Sequence, residues 1–182
     1  MSERYKFHNK EGIYFVSCAT VYWLDVFVRP VYTQIIVDSL DFCIKHKGMK
    51  VYCWCIMPSH IHLIFSAGYG NQGDLMRDFK KFTSKKIQKE IEDNIQESRR
   101  EWLLWMMKRA GDKNSNIEGR QLWQHDNHPI ELWSNEVFDQ KIDYIHNNPV
   151  EAGFVEKPEH WRLSSACDYA GIKGMVDVVL IQ

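Results

Sequence analysis

No stretch of this 182-residue sequence is long and apolar enough to span a bilayer. Its start, MSERYKFHNKEG, is charged where a secretory leader would be apolar, so a cytosolic protein without membrane contact is the expectation. There is no surplus of either charge: 23 Lys and Arg stand against 24 Asp and Glu, a formal net charge of −1. Any contact with a polyanion must therefore come from a local patch rather than a global field. Cysteine is sparse and irregular. Cys18, Cys43, Cys53, Cys55 and Cys167 are odd in number and scattered, which argues against a disulfide framework and fits reduced thiols. Cys53 and Cys55 form C-x-C, lacking the two-residue spacer of zinc knuckles, inside the apolar run VYCWCIM, so they read as small buried hydrophobes. There is no internal repeat and no low-complexity tract. What is present, 45% hydrophobic and 26% charged residues, describes one globular domain over 1–182 with enough chain to bury a core.

The stretch Ile13–Val28 is rich in β-branched and aromatic residues and should hold a strand that runs on into a loop. Pro30 opens and Gly48 closes a segment with helical apolar spacing. Lys50–Met57 and His60–Ser66 read as two strands joined by the tight turn Pro58-Ser59, an antiparallel hairpin. Asp74 then caps a long helix with the apolar stripe Leu75, Met76, Phe79, Phe82 and Ile87. A strand near Leu122–Asn127 would complete a ferredoxin-like βαββαβ sandwich, an α+β fold with an antiparallel sheet and helices on one face. Residues 96–120 read as an insertion ending in a mobile Gly, Asn and Ser-rich loop. Glu136–Asn147 predicts a last helix stopped by Pro149, and a tail follows from about residue 150.

Three patterns carry chemistry. In MPSHIHLIF, a strand puts His60 and His62 on one face. Such a pair is either two metal ligands or the polar face of an edge strand. On the long helix, Arg77, Lys81, Lys85 and Lys89 gather on one side, either a ridge for a phosphate backbone or a solvated face. In DYIHNNPVEAG, Tyr144 and Asn148 are four apart and share a helix face. A tyrosine hydroxyl is a poor nucleophile without an activating neighbour, so Tyr144 is either paired with a metal site or an ordinary packing residue.

Read together, MPSHIHL, FKKFTSKK, LWQHD, YIHNNPVEAG and WRLSSACDY, in that order from about Gly12 to Tyr169, resemble the REP-associated tyrosine transposases, a branch of the single-tyrosine HUH nucleases. The resemblance implies that His60, His62 and Asn148 hold a divalent ion, Mg²⁺ or Mn²⁺, and that Tyr144 is the nucleophile. It implies cleavage and rejoining of single-stranded or hairpin DNA through a 5′-phosphotyrosine, by a monomer or homodimer. It also gives the tyrosine helix a place after the βαββαβ core. The sequence departs from the family pattern at Ser59, where Asn is frequent, and in the length of 96–120, which leaves that segment as a hairpin-binding element, a dimer contact or an elaboration. Two other readings stand beside this one: a domesticated DNA-binding protein of the same fold that does not cleave, and a small metal-dependent phosphoesterase built on His60, His62 and a further histidine such as His125. The DNA sequence recognised and whether the tyrosine helix serves its own subunit are not written in these motifs.

Overall fold

The computed structural model describes residues 7–115 and 117–181; the first half of the charged start, residues 1–6, together with Asn116 and Gln182, lies outside the described residues. The architecture is α+β. Strands β1 (Tyr14–Ala19), β2 (Met49–Met57), β3 (His60–Ala67) and β4 (Ile130–Glu131) form one sheet in the order β2-β3-β1-β4. Every neighbour is antiparallel, as expected of a ferredoxin-like sandwich. Helices α1 (Pro30–Lys47), α2 (Gln72–Asp93) and α3 (Arg100–Asp112) gather on one face of the sheet, and α4 (Asn135–Glu151) crosses the other.

The alternation of side chains explains the two layers. Val16, Cys18, Ile61, Leu63 and Phe65 point into the core shared with α1, α2 and α3, whereas Phe15, Cys53, Cys55, Met57 and Ile64 point at α4. A strand buried on both faces reads as a continuous apolar run, which is what VYCWCIM is. Helix α4 answers with Phe138, Ile142, Ile145 and Pro149, spaced one or two turns apart and buried against that second face. Residues 96–120 contribute to the first core, because Leu103, Met107 and Ala110 of α3 join it.

Three boundaries differ from the sequence expectation. Helix α2 begins earlier, capped by Asn71, whose side chain accepts from the Asp74 amide at 2.7 Å; Asp74 sits within the first turn, where a carboxylate favours the helix dipole. The fourth strand is Ile130–Glu131. The expected segment 122–127 instead runs past β1 with a single bridge, Thr20 to Trp123, and isolated hydrogen bonds such as Gln124 N to Ala19 O at 2.8 Å. Helix α4 does not stop before Pro149 but runs through it to Glu151. A proline one turn from a helix end forfeits few hydrogen bonds, and the Ala152 and Phe154 amides close the end on Asn148 O and Pro149 O at 3.0 and 2.9 Å.

After α4 the chain returns along the free edge of β2. Ile56 N donates to Leu163 O at 2.8 Å, Ser165 N to Trp54 O at 2.9 Å, and the Trp161 indole to Ile56 O at 3.0 Å. The tail thus covers an edge that would otherwise offer unpaired backbone groups to other chains. A short helix, α5 (Ala166–Tyr169), follows.

Candidate nucleic-acid processing site

The Pro58-Ser59 turn places His60 at the first residue of β3 and His62 two residues on, where β3 pairs Ser17 of β1 opposite His62. The two imidazole centroids lie 4.7 Å apart. Helix α4 carries Tyr144 over them, its ring 5.2 Å from that of His62 and 6.0 Å from that of Phe15. Tyr144 lies off the buried stripe of α4 and is 42% exposed. Because α4 continues unbroken to Glu151, Asn148 stays one turn beyond Tyr144, with its side chain on the His60 side of the site, where it favours the charged imidazole. Sequence-remote residues from β3 and α4 therefore meet at the turn end of the hairpin.

His62 is 3% exposed, and neither of its ring nitrogens has a hydrogen-bond partner. Burial, with repulsion from the Lys141 ammonium and from His60 when it is protonated, pushes its pKa down to about 3. His60 is also lowered by burial, with the Asn148 hydrogen bond opposing, and its Nδ1 lies 3.3 Å from the Ser59 hydroxyl. Both imidazoles are neutral at neutral pH, the state in which a ring nitrogen can donate a lone pair. Among the described residues no group of three His, Cys, Asp or Glu side chains forms a metal cluster. His125 lies instead on the segment facing α2, beside Asn114.

The cationic residues of α2 lie elsewhere, along a groove of about 670 Å³ between α2 and residues 117–127. Arg77, Lys81 and Lys85 line it; Lys89 does not. Arg77 is ion-paired with Asp74 and Asp78, and Lys89 with Asp93 at 2.8 Å. Lys80 reaches across to Gln124 O at 2.7 Å and Asn127 Oδ1 at 2.6 Å, pinning the far wall.

A profile of the IS200-like transposases matches residues 14–108, more than half of the chain. The chain belongs to the IS200-like transposase family. The matched span takes in both histidines and the basic helix and ends before Tyr144. A structure of a REP-associated tyrosine transposase bound to a REP hairpin superposes with a TM-score of 0.65 at 17% identity, covering 98% of this chain and 92% of that one, which establishes a common fold. A candidate transposase from Deinococcus radiodurans R1 shares 18% identity over 80% of this chain and 97% of its own, with a TM-score of 0.46. No curated protein matches the sequence. No helix among the described residues of this transposase-family chain is long and apolar enough to cross a membrane.

Two site residues escape the sequence motifs. Lys141 holds its ammonium 4.8 Å from the Phe15 ring centroid and 5.4 Å from that of Tyr144; its position three before Tyr144 on one helix face was the available signal. Phe15 stacks on His62 at 5.7 Å, which alternation along β1 could have suggested. The histidine of YIHNNPV has a different job. His146 is buried, its pKa pushed down to about 4 by burial, and Nε2 lies 2.9 Å from the Ser165 hydroxyl and 3.2 Å from Cys53 Sγ, so it ties α4 to β2 and the tail.

Proposed function

We propose that this chain is a metal-dependent nuclease and strand transferase acting on single-stranded or hairpin DNA, with Tyr144 as the nucleophile. The observation that carries the reading is the surroundings of His62: a buried neutral imidazole with two unpartnered nitrogens, flanked by the rings of His60 and Tyr144 at 4.7 and 5.2 Å. An orphaned buried ring nitrogen is costly unless something binds it. His60, His62 and the Asn148 amide oxygen would be the residues that hold a divalent ion, Mg²⁺ or Mn²⁺. When bound, such an ion supplies Lewis-acid polarisation of a phosphate.

The chain's own groups account for the rest. The Tyr144 oxygen attacks phosphorus in line, the bond from phosphorus to the 3′ oxygen breaks, and the new bond is a 5′-phosphotyrosine. The phenolic proton passes to solvent, which the exposure of Tyr144 allows, and the departing 3′ oxygen takes a proton from water. Lys141 keeps a positive charge beside the ring where negative charge collects on the phosphate. The phosphodiester energy is conserved in the covalent bond, so rejoining to another strand needs no nucleotide cofactor. Family membership supports transposition chemistry, and the hairpin in the related structure supports hairpin DNA as the substrate class.

The test is a denaturing gel. Incubated with Mn²⁺ and a 3′-labelled hairpin oligonucleotide carrying single-stranded flanks, the protein should retain the label covalently, and Tyr144→Phe should bind the DNA yet retain none. DNA binding by the wild type with no adduct on any hairpin would favour a non-cleaving DNA-binding protein. An adduct formed by Tyr144→Phe would move the nucleophile elsewhere.

A further inference from the structure

Next to the histidine pair stands an aromatic side chain that nothing in the chemistry above uses. Trp23 is 58% exposed, and its ring lies 5.4 Å from that of His60, edge to face. The backbone that presents it is unusual. Tyr22 and Trp23 are consecutive left-handed residues, with φ of 54° and 55°, and neither is glycine. Bulky side chains pay a steric penalty in that region, and such strain persists only where the surroundings enforce it.

Here they do. The flanking Val21 and Leu24 are buried, the Thr20 hydroxyl donates to Leu24 O at 2.7 Å and contacts Ser59 O at 2.9 Å, and Val21 N donates to Leu122 O at 2.8 Å. The segment is bolted to the same Pro58-Ser59 turn that starts the histidine strand. A strained backbone held rigidly to expose a tryptophan, rather than to bury it, gains the fold nothing through packing. The adjacent Tyr22, 43% exposed, carries a cation on its own ring, the Lys113 ammonium at 5.8 Å from the centroid.

We propose that Trp23 is a nucleobase platform, stacking an unpaired base that flanks the phosphate delivered to His60 and His62. The inference rests on the reading of that site as one that processes DNA. A flat, exposed indole next to a second exposed ring that carries a cation is the chemistry by which single-stranded nucleic acid is gripped without regard to sequence. It makes Trp23 a positioning residue: it sets which backbone linkage lies beside Tyr144.

The experiment compares binding of an oligothymidylate of about twelve nucleotides with binding of an abasic chain of equal length, by fluorescence anisotropy without metal, in wild type, Trp23→Gly and Trp23→Phe. The wild type should prefer the chain with bases, and Trp23→Gly should shrink that preference by at least about fivefold, while Trp23→Phe retains most of it. Glycine also relieves the left-handed backbone, so Trp23→Gly should melt no lower than the wild type. A residue kept for packing would give the reverse: a lower melting temperature in Trp23→Gly with base preference unchanged, which overturns the inference. A wild type indifferent to bases overturns it too. The readout is separate from chemistry. Adduct formation by a wild type whose base preference ignores Trp23 removes this inference and leaves the nuclease; base preference through Trp23 with no adduct on any substrate does the opposite.

Discussion

His62 occupies a position that costs the fold stability. Two buried ring nitrogens without partners leave the apo fold with an uncompensated desolvation cost, and an apolar ring of similar outline would remove it. His62→Phe should therefore be at least as stable as the wild type in chelator, gaining up to about 2 kcal/mol in denaturant unfolding, while abolishing metal-dependent cleavage. The new ring would stack on Phe15 and meet Tyr144 as the imidazole does now. A loss of more than about 2 kcal/mol would mean that the imidazole is hydrogen-bonded in the folded protein, contrary to the structure. Asn148 differs, because it is partly exposed at the helix end. Its removal should raise the metal concentration needed for cleavage and leave Tyr144 in place.

At the scale of elements, Glu97 joins the starts of two helices. Its carboxylate, fully buried, takes the Arg29 Nε at 3.3 Å, the Tyr32 hydroxyl at 3.2 Å and the Arg99 amide at 3.1 Å. Burial alone would raise this carboxyl, but the Arg99 amide and the guanidinium groups of Arg29 and Arg99 outweigh it and hold it below the ordinary carboxylate range. A carboxyl lowered on folding contributes stability that is complete above its unfolded pKa and is lost as pH falls through the folded one. Glu97→Ala should cost about 1–3 kcal/mol at neutral pH, since it leaves the buried Tyr32 hydroxyl and the Arg99 amide without their acceptor, while Arg99 keeps Asp25 and Arg29 is half exposed. Glu97→Gln should cost less and unfold with a shallower loss of stability on acidification, read from denaturant melts from neutral pH to about pH 3. This link was invisible in the sequence because Glu97 lies 68 residues from Arg29 and falls where no periodic pattern runs. What was legible followed from local rules. Pro30 and Gly48 mark the ends of α1, Gly48 with a φ of 67°, and alternation through HIHLIF puts both histidines on the α4 side. What was not legible depended on tertiary contacts. Two residues of β4 carry no period, Pro149 is tolerated because α4 is packed against the sheet to its end, and left-handed Tyr22 and Trp23 have no glycine to announce them.

For the molecule as a whole, a net charge of −1 gives no long-range attraction for DNA, so the proposed substrate would have to be drawn locally, and the groove beside α2 is the place to test. Structure divides the four cations of the ridge. Arg77 and Lys89 are already matched by neighbouring carboxylates, whereas Lys81 and Lys85 face the groove, so these two should dominate counterion release. Replacing both by glutamine should flatten the logarithmic salt dependence of single-strand binding by about 1.4, taking roughly 0.7 per phosphate contact. Replacing Lys89 alone should leave the slope unchanged, and an unchanged slope in the double variant would make the ridge a solvated face.

The thiols show the layering of the molecule in another way. Cys18 of β1 and Cys43 of α1 lie in the core that α1, α2 and α3 share with the sheet, Cys53 and Cys55 lie beneath α4, and Cys167 lies in α5 of the tail, all five of them free and buried. Burial raises the thiols of Cys18 to about 11 and Cys55 to about 12, and those of Cys43 and Cys53 also upward, so in the closed fold these four stay protonated and out of reach of an alkylating reagent. Each layer of the protein thus holds its own chemical clock. The time at which a given cysteine becomes labelled dates the moment its layer opens, without any probe being added to the chain.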